Sequence, residues 1–432
     1  MNVLNLTPND VLFFRDGRPM EGASSGSGAA WPMPNVISAA FHAALHRAEI
    51  NGVHEHRRGR SSDDRSDGKR DRKFGGLVTA GPFPVSSEGR WIFPRPADAR
   101  RAGDAGTTEF PLVSGAQPSS LSNDPKLPLY PVVSAIPPSK DSPEPWVDAV
   151  AYTSYLNGGA VAGECHRDAD IFGKEHQIGI GIAPETGTVE EGKFYSAQYL
   201  RLTKAWQLGV LAEAQDKISK DPENRRDLIR ELLDSEQHIL VGGQQRVCNV
   251  GLGTAVDTAL PLPVGPKISG TRVRWTLLSP AVFPHIAEDK DRGIPEHSGG
   301  SLPTWVDCDG VVQLLDGPGK NKAKRMRCEP GRQIQAHLVA ACVPGSQPVS
   351  GWALGHDDEN EAGARALHLA VPAGSVYYFE AEDSSHAQKL ADVLSWHGSS
   401  QTASTIHNRR STLLGEKGFG LGVCSAWSEY TA

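Results

Sequence analysis

Towards its C-terminal end the chain reads Gly415-Glu-Lys-Gly-Phe-Gly-Leu-Gly422, and the largely apolar residues 423–427 follow at once. Glycines let backbone N–H groups approach a phosphate closely, and Lys417 adds a positive charge. The segment is not a Walker loop, because it lacks Gly-Lys-Ser/Thr. It is not a dinucleotide fingerprint either, because the residues after it predict a strand instead of a helix. It is therefore a candidate phosphate cradle, with an ordinary glycine-rich turn as the alternative.

The rest of the chain mixes strand and helix patterns. Alternating or continuous apolar residues predict strands at 1–6, 11–14, 194–202, 206–211, 272–278, 333–343, 375–380 and 423–427. Helical spacing of apolar residues predicts helices at 34–48, 224–235 and 385–396. We therefore expect an α+β protein with an N-terminal domain at 1–240 and a C-terminal domain at 241–432, which look like a duplicated unit.

Three stretches interrupt this pattern. Residues 54–73 contain eight Lys or Arg, five Asp or Glu and no apolar side chain, which predicts an exposed, disordered insertion. Residues 100–147 form a predicted Pro-rich loop, with nine prolines between positions 111 and 145. Residues 151–157 and 177–182 are predicted to pair across the polar residues 163–176, so that 151–182 would form a projecting hairpin.

Composition narrows the class of protein. The net charge is −7, which excludes coating of nucleic acid through overall charge, so any RNA contact must be local. Neither an apolar run of spanning length nor a signal-type N-terminus is evident, and we expect a soluble cytoplasmic protein without membrane contact. The six cysteines are scattered without zinc-type spacing, so no metal or cofactor is expected.

Several short segments carry groups that suit RNA binding or catalysis. Arg15-Asp-Gly-Arg18 and Gly242-Gly-Gln-Gln-Arg246 combine turns with arginine, which suits phosphate oxygens, although a surface ion pair and a helix end are the alternatives. The basic run at 320–327 could contact RNA or an acidic partner, or form a solvated loop. His42 with His46, and Cys165-His166, lack the further partners that a metal or catalytic site needs.

Four motifs together resemble one known family. They are Asp10-Val-Leu-Phe-Phe-Arg-Asp-Gly-Arg-Pro19, Gly242-Gly-Gln-Gln-Arg246, Val371-Pro-Ala-Gly-Ser-Val-Tyr-Tyr-Phe379 and Gly418-Phe-Gly420. In order and separation they resemble the third Cmr subunit of type III-B CRISPR effector complexes, which belongs to the RAMP superfamily.

The resemblance implies a fold, partners and site residues. The fold would be two ferredoxin-like, RRM-related domains with a β-hairpin thumb that can wedge between nucleotides, and 151–182 would be the matching segment. The partners would be the 5′ handle of the guide RNA (crRNA), the large Cas ten-type subunit, and neighbouring backbone and small Cmr subunits. The expected RNA-binding residues are Arg15, Arg18, Gly242, Gly243, Arg246, Lys417, Gly418, Phe419 and Gly420, with Phe419 serving either as core or as stacking partner.

The sequence leaves two other functions open. The preferred interpretation is a subunit without its own active site. One alternative is a guide-processing endoribonuclease of the same superfamily, in which His42, Tyr155 or His166 would promote attack by a 2′-hydroxyl. The other is a purely structural partner of the large subunit that carries no guide.

Overall fold

The computed structural model describes residues 1–15, 25–26, 31–50, 77–102, 107–109, 112–114, 129–130, 132–133, 139, 141–158, 163–215, 226–253, 259–291, 293–316, 333–353 and 363–430. Arg18, the predicted insertion 54–73, the basic run 320–327 and much of the predicted loop 100–147 lie outside these residues.

The strands follow one another along the chain in this order: β1 (Asn2–Pro8), β2 (Leu12–Phe13), β3 (Ser25–Gly26), β4 (Val78–Ser86), β5 (Ile92–Pro94), β6 (Arg100–Ala102), β7 (Thr107–Glu109), β8 (Leu112–Ser114), β9 (Val132–Val133), β10 (Trp146–Asp148), β11 (Cys165–His166), β12 (Phe172–Ile182), β13 (Val189–Leu202), β14 (Trp206–Glu213), β15 (His238–Leu240), β16 (Val247–Leu252), β17 (Arg272–Leu277), β18 (Ala281–Val282), β19 (Ala336–Cys342), β20 (Gln347–Val349), β21 (Trp352–Ala353), β22 (Gly363–Ala364), β23 (His368–Val371), β24 (Val376–Ala381), β25 (Gly422–Ala426) and β26 (Glu429–Tyr430).

The helices begin at residues that suit helix N-termini. They are α1 (Pro34–Arg47), α2 (Ala149–Leu156), α3 (Asp168–Ile171), α4 (Leu228–Ser235) and α5 (Ser384–Leu394). Pro34 occupies the first turn of α1, where its missing N–H costs no hydrogen bond. Asp227 caps α4 and Asp383 caps α5, each by accepting a backbone N–H with its carboxylate. The predicted helices at 34–48, 224–235 and 385–396 are thus confirmed, although α5 begins one residue earlier and ends two residues earlier than predicted.

The chain divides into two compact units. Unit 1 comprises Met1–Gly89, Ala169–Thr254 and Pro348–His368, and unit 2 comprises Arg90–Asp168, Ala255–Gln347 and Leu369–Ala432. The units therefore interleave along the chain, unlike the consecutive domains 1–240 and 241–432 expected from the sequence. The reason lies in long-range contacts made by the described residues between 90 and 168, which follow β4 in the chain. β8 pairs with β26, and Asp98 binds Arg274 on β17 and Tyr378 on β24.

Unit 1 contains a five-stranded antiparallel sheet in the order β15-β16-β1-β14-β4. Along the chain, α1 lies between β1 and β4, and α4 lies between β14 and β16. The four strands β16-β1-β14-β4 thus stand in the order fourth, first, third, second, which is ferredoxin-like topology. Apolar side chains on one face of the sheet and on both helices are fully buried and form its core: Leu4, Leu6, Leu208, Val210, Ile37, Phe41, Ile229 and Leu232.

Unit 2 repeats this strand order in the antiparallel sheet β19-β24-β17-β25, with α5 between β24 and β25. In the part of the chain that is described between β17 and β19, no α-helix stands where α1 stands in unit 1. Trp275, Tyr377, Phe379, Leu390 and Leu394 are buried in a single apolar cluster. Burial of a Leu or Phe side chain contributes about 1.5–3 kcal/mol, so this cluster stabilises the sheet against α5.

The α+β fold class is confirmed, but the predicted hairpin 151–182 is wrong in its first arm. Residues 151–156 belong to α2, because Asp148 caps that helix and Ala151, Tyr152, Tyr155 and Leu156 are buried at helical spacing. The second arm, β12, pairs instead with β13. A long antiparallel hairpin therefore exists, but it spans Phe172–Ile182 and Val189–Leu202.

No helix in the described residues is long and apolar enough to cross a membrane.

Candidate nucleic-acid interface

Two of the motifs that are far apart in sequence meet in unit 1. The connection between β15 and β16 carries Gly242 and Gly243, and it lies against β2. The N–H of Gly243 donates to the carbonyl oxygen of Phe13 at 2.8 Å. Gly242 has φ +79°, and a Cβ there would lie 2.8 Å from the Phe14 ring. Only glycine fits this close approach at position 242, and a Cβ on Gly243 would lie 2.8 Å from the Phe13 ring.

An aromatic–arginine cluster, formed by Phe13, Tyr199 and Arg246, lies beside this contact. The ring centroids of Phe13 and Tyr199 are 5.5 Å apart, and the Arg246 guanidinium lies 4.9 Å from the Tyr199 ring centroid. Such cation–π packing holds the arginine side chain in one orientation. The Arg246 side chain remains 27% exposed, so it can reach a ligand at the surface.

Acidic groups balance the positive charge around the cluster. Asp10 lies 2.9 Å from Arg201 and 3.8 Å from Arg246, and Arg201 also binds Glu175 across the β12–β13 hairpin. The hydrogen bond from Arg201 lowers the pKa of Glu175, so both groups are charged at neutral pH. Among the described residues, the charges at this surface are thus paired acid with base. A single-stranded RNA would bind it through a few oriented contacts.

The β12–β13 hairpin presents an apolar stripe to solvent. Ile178, Ile180 and Ile182 alternate along β12, so their side chains lie on one face of the strand, and they are 66%, 49% and 59% exposed. β12 is also the outer strand of the sheet β12-β13-β2. An exposed apolar stripe on an outer strand is typical of a binding surface.

The glycine loop Gly415 to Gly422 belongs to unit 2 and packs closely there. Gly415–Lys417 forms a 3₁₀ turn, and Gly420 has φ +75°. The N–H of Gly420 donates to the Pro280 carbonyl at 2.7 Å, and a Cβ on Gly420 would lie 2.7 Å from the Ser411 Cβ. Phe419 is fully buried. Gly418, Phe419 and Gly420 are therefore part of the packing of unit 2, and Phe419 takes the core position that was one of its two expected roles.

The predicted RNA-binding residues fall into two groups. Arg15, Gly242, Gly243 and Arg246 belong to unit 1, and all of them lie near β2 or in the β15–β16 connection. Lys417, Gly418, Phe419 and Gly420 belong to unit 2. Arg18 lies outside the described residues.

The two glycine segments occupy equivalent places in the two sheets. The segment 242–246 directly precedes β16, and the segment 415–422 leads into β25. Each of these strands pairs antiparallel with the first strand of its own sheet. The predicted duplication is thus supported by topology.

The sequence interpretation missed Tyr199 and Gln244, which the fold brings to the same place. The Tyr199 hydroxyl donates to Oε1 of Gln244 at 2.7 Å, although 45 positions separate the two residues. A Gly-Gly pair between two predicted strands does signal a tight connection at 242–245. No local signal connects Tyr199 with that loop, because the contact depends on the pairing of β13 with β2.

The three candidate catalytic residues differ in burial and in their neighbours. Tyr155 is fully buried, its hydroxyl donates to Asp98 at 2.8 Å, and burial raises its pKa well above the ordinary value. His42 is exposed on α1. His166 Nε2 lies 3.8 Å from Oε2 of Glu164, and burial raises the pKa of the neighbouring Cys165 thiol. Among the described residues, no group of three or more His, Cys, Asp or Glu could hold a metal ion.

Comparison with solved structures finds similar chains in two kinds of CRISPR complex. The chain is similar to one in a cryo-EM structure of the type III-B Cmr-beta bound to cognate target RNA, with 14% identity over 87% of this chain and 86% of that chain and a TM-score of 0.40. A chain in the same assembly with AMPPnP, state 1, has a TM-score of 0.39 at 14% identity, again over 87% of this chain and 86% of that chain. A chain in the crystal structure of the Csm3-Csm4 subcomplex of the type III-A interference complex has 10% identity over 89% of this chain and 93% of that chain, with a TM-score of 0.34.

Comparison with curated proteins finds no match. The sequence profile of the family Cas_Cmr3, CRISPR-associated protein, matches residues 4–427. The match extends over nearly the whole chain and includes all four motifs on which the resemblance to the third Cmr subunit was based. The chain therefore belongs to the Cas_Cmr3 family of CRISPR-associated proteins.

Proposed function

We propose that the chain is a subunit of a type III-B CRISPR effector complex that binds the 5′ handle of the guide RNA and contacts the large Cas ten-type subunit. Neighbouring backbone and small Cmr subunits are its further partners, and the complex acts in the cytoplasm. The chain itself has no catalytic role in this proposal. Membership of the Cas_Cmr3 family supports the assignment to a CRISPR system.

One observation carries the RNA-binding part of the proposal. The motifs Asp10 to Pro19 and Gly242 to Arg246 lie more than 220 positions apart, yet β2 and the β15–β16 connection meet and bring Phe13 and Arg246 to the same aromatic residue. Exposed glycine backbone, an oriented arginine and aromatic rings are the groups that hold single-stranded RNA, since phosphates need donors and bases need flat apolar partners. A protein with a net charge of −7 needs such a local arrangement.

The β12–β13 hairpin supplies a second element for the same function. The resemblance implies a thumb that wedges between nucleotides, and the exposed stripe of Ile178, Ile180 and Ile182 gives this hairpin an apolar face suited to that role. In this proposal the hairpin, and no longer the segment 151–182, is the thumb.

The test is handle binding by an Arg246→Ala variant. We expect the full chain, purified with its large subunit, to lose roughly tenfold in affinity for labelled handle RNA, because a charge-assisted contact is removed. The dependence of log affinity on log salt should also become shallower by about one unit if a phosphate contact is lost. Filter binding at several salt concentrations measures both effects.

Arg272→Ala is the matched control for this test. Arg272 lies 5.0 Å from the Trp427 ring centroid and 3.7 Å from Glu380, so it resembles Arg246 in both its aromatic and its acidic contacts, but it belongs to unit 2. We expect this variant to bind handle RNA like the wild type. Equal losses in both variants, or no loss in the Arg246 variant, would contradict the proposal.

Two outcomes would support the other functions. Metal-independent cleavage of labelled repeat RNA that is lost in His42→Ala or His166→Ala would establish the endoribonuclease alternative. Tyr155 is a poor candidate for that chemistry, because it is buried and its pKa is raised. Purification of the chain with its large subunit but without any guide RNA would favour a purely structural role.

A further inference from the structure

The loop between β15 and β16 holds two glutamines in an unfavourable backbone conformation. Leu240 pairs with Val247, and the N–H of Val241 donates to the Arg246 carbonyl at 2.8 Å, which closes the loop. Gln244 and Gln245 have φ values of +56° and +53°. Residues with a Cβ rarely adopt positive φ, and glycine would occupy both positions at lower cost. A function for at least one of the two side chains would explain why glutamine, and not glycine, occupies these positions.

Hydrogen bonds fix the amide of Gln244 in one orientation. Its Oε1 accepts from the Tyr199 hydroxyl at 2.7 Å and from Nη2 of Arg246 at 3.3 Å. Tyr199 is only 6% exposed, so the hydroxyl that binds the amide is itself held firmly. An amide oxygen has two lone pairs, and these two donors occupy both of them.

The Nε2 group of Gln244 lies at the surface, where it can only donate hydrogen bonds. Gln244 is an exposed residue, and its Nε2 donates to no group within the described part of the chain. Because Oε1 is held by Tyr199 and Arg246, the two N–H bonds of Nε2 are directed away from that pair. By contrast, Gln245 has the same backbone conformation but makes no side-chain hydrogen bond to any described residue.

A donor-only amide selects among nucleobases. Pairing of a glutamine amide with adenine uses its oxygen and its nitrogen together, because adenine offers one donor next to one acceptor. An amide whose oxygen is occupied cannot form that pair. It can donate to the carbonyl oxygens of guanine, cytosine or uracil, which are accessible when a single-stranded base is splayed out. Adenine has no carbonyl oxygen, and its ring acceptors N1 and N7 each lie beside the N6 amino donor, so adenine is the weaker partner for a group that can only donate.

We propose that Gln244 reads one base of the guide handle by donating from Nε2 to a base carbonyl oxygen, and that it discriminates against adenine at that position. Tyr199 is a positioning residue that holds Oε1, and Arg246 also holds Oε1 in addition to its proposed phosphate contact. The inference rests on the proposed function, since it needs a guide RNA bound near the aromatic–arginine cluster.

The test compares Gln244→Gly with Gln245→Gly. Both substitutions relieve positive φ, so they alter the backbone in the same way and differ only in the side chain removed. The full chain with its large subunit is titrated with handle RNAs in which each position is replaced in turn by each of the other bases. We expect the wild type to bind about tenfold more weakly when adenine occupies one particular position.

In Gln244→Gly this penalty should fall to less than twofold, and in Gln245→Gly it should persist. An unchanged base profile in Gln244→Gly would overturn the inference, and so would a wild-type preference for adenine that the substitution removes. These outcomes leave the proposed function intact if handle RNA still binds better than a scrambled RNA. The absence of any handle preference in the wild type would instead contradict the proposed function and the inference with it.

Discussion

At the scale of single residues, one buried ion pair differs from the exposed charged residues, because its two charges have almost no access to water. Asp98 and Arg274 form an ion pair in unit 2, with Nη1 and Oδ2 3.3 Å apart, and their side chains are 0% and 5% exposed. Tyr155 and Tyr378 donate to the two oxygens of Asp98. Burial and the Asp98 charge both raise the pKa of Tyr378, so this tyrosine remains a neutral donor.

We expect Arg274→Met to destabilise unit 2 by about 3–5 kcal/mol, because it leaves the Asp98 carboxylate buried without its cation. Arg272→Met on the same strand should cost less than about 1 kcal/mol, because Arg272 is partly exposed. Hydrogen exchange of the β17 and β24 amides measures the stability of this unit without requiring the whole chain to unfold in one step. Similar losses of protection in both variants would show that burial does not determine the effect.

At the scale of elements, the β12–β13 hairpin combines a long paired ladder with an exposed apolar face. We expect Ile180→Asn combined with Ile182→Asn to leave thermal stability nearly unchanged, because both side chains are exposed. Crosslinks between the hairpin and bound guide RNA should be lost. Val150→Asn is the control, since Val150 is 64% exposed on α2 and should affect neither measurement. Unfolding of the double variant at a clearly lower temperature than the wild type would mean that the stripe packs within the chain and is not a binding surface.

The β12–β13 hairpin also shows what residue periodicity cannot predict, namely which strands pair. The alternation of apolar and polar residues at 177–182 correctly predicts a strand, but the predicted partner strand at 151–157 is wrong. Those residues form a helix, because Asp148 accepts the Ala151 N–H at 2.7 Å and so satisfies a donor at the helix N-terminus. Short apolar segments with two aromatic residues fit either pattern, and the cap and the packing of Tyr155 resolve the ambiguity.

At the scale of the molecule, a buried histidine makes the stability of unit 2 depend on pH. His397 is 3% exposed, its Nε2 accepts the Gly265 N–H at 3.0 Å, and burial lowers its pKa. In the unfolded chain the pKa is about 6.5, so below that pH the unfolded state binds a proton that the folded state does not. The free energy of unfolding should therefore fall as the pH is lowered through about 6.5 towards the folded pKa.

Hydrogen-exchange protection factors for the β17 amides at pH 7.5 and 5.5 test this expectation, once corrected for intrinsic exchange. The decrease at low pH should be smaller in His397→Gln than in the wild type. His337→Gln should retain the full decrease, because His337 is exposed on β19. A decrease of equal size in the wild type and the His397 variant would mean that another group is responsible.

The sequence by itself determined the α+β class, most of the strands and helices, the family and the two glycine segments, because periodicity, caps and glycine spacing are local properties of a chain. It also placed Arg15, Arg246 and Lys417 among the candidates for RNA contact, and these remain predictions. Only the tertiary structure decided that 90–168 belongs with the C-terminal strands, that β12 pairs with β13, and that Tyr199 orients Gln244. Each of these depends on contacts between residues that are far apart in the chain, and the free energy of such contacts comes from burial and pairing in the folded state.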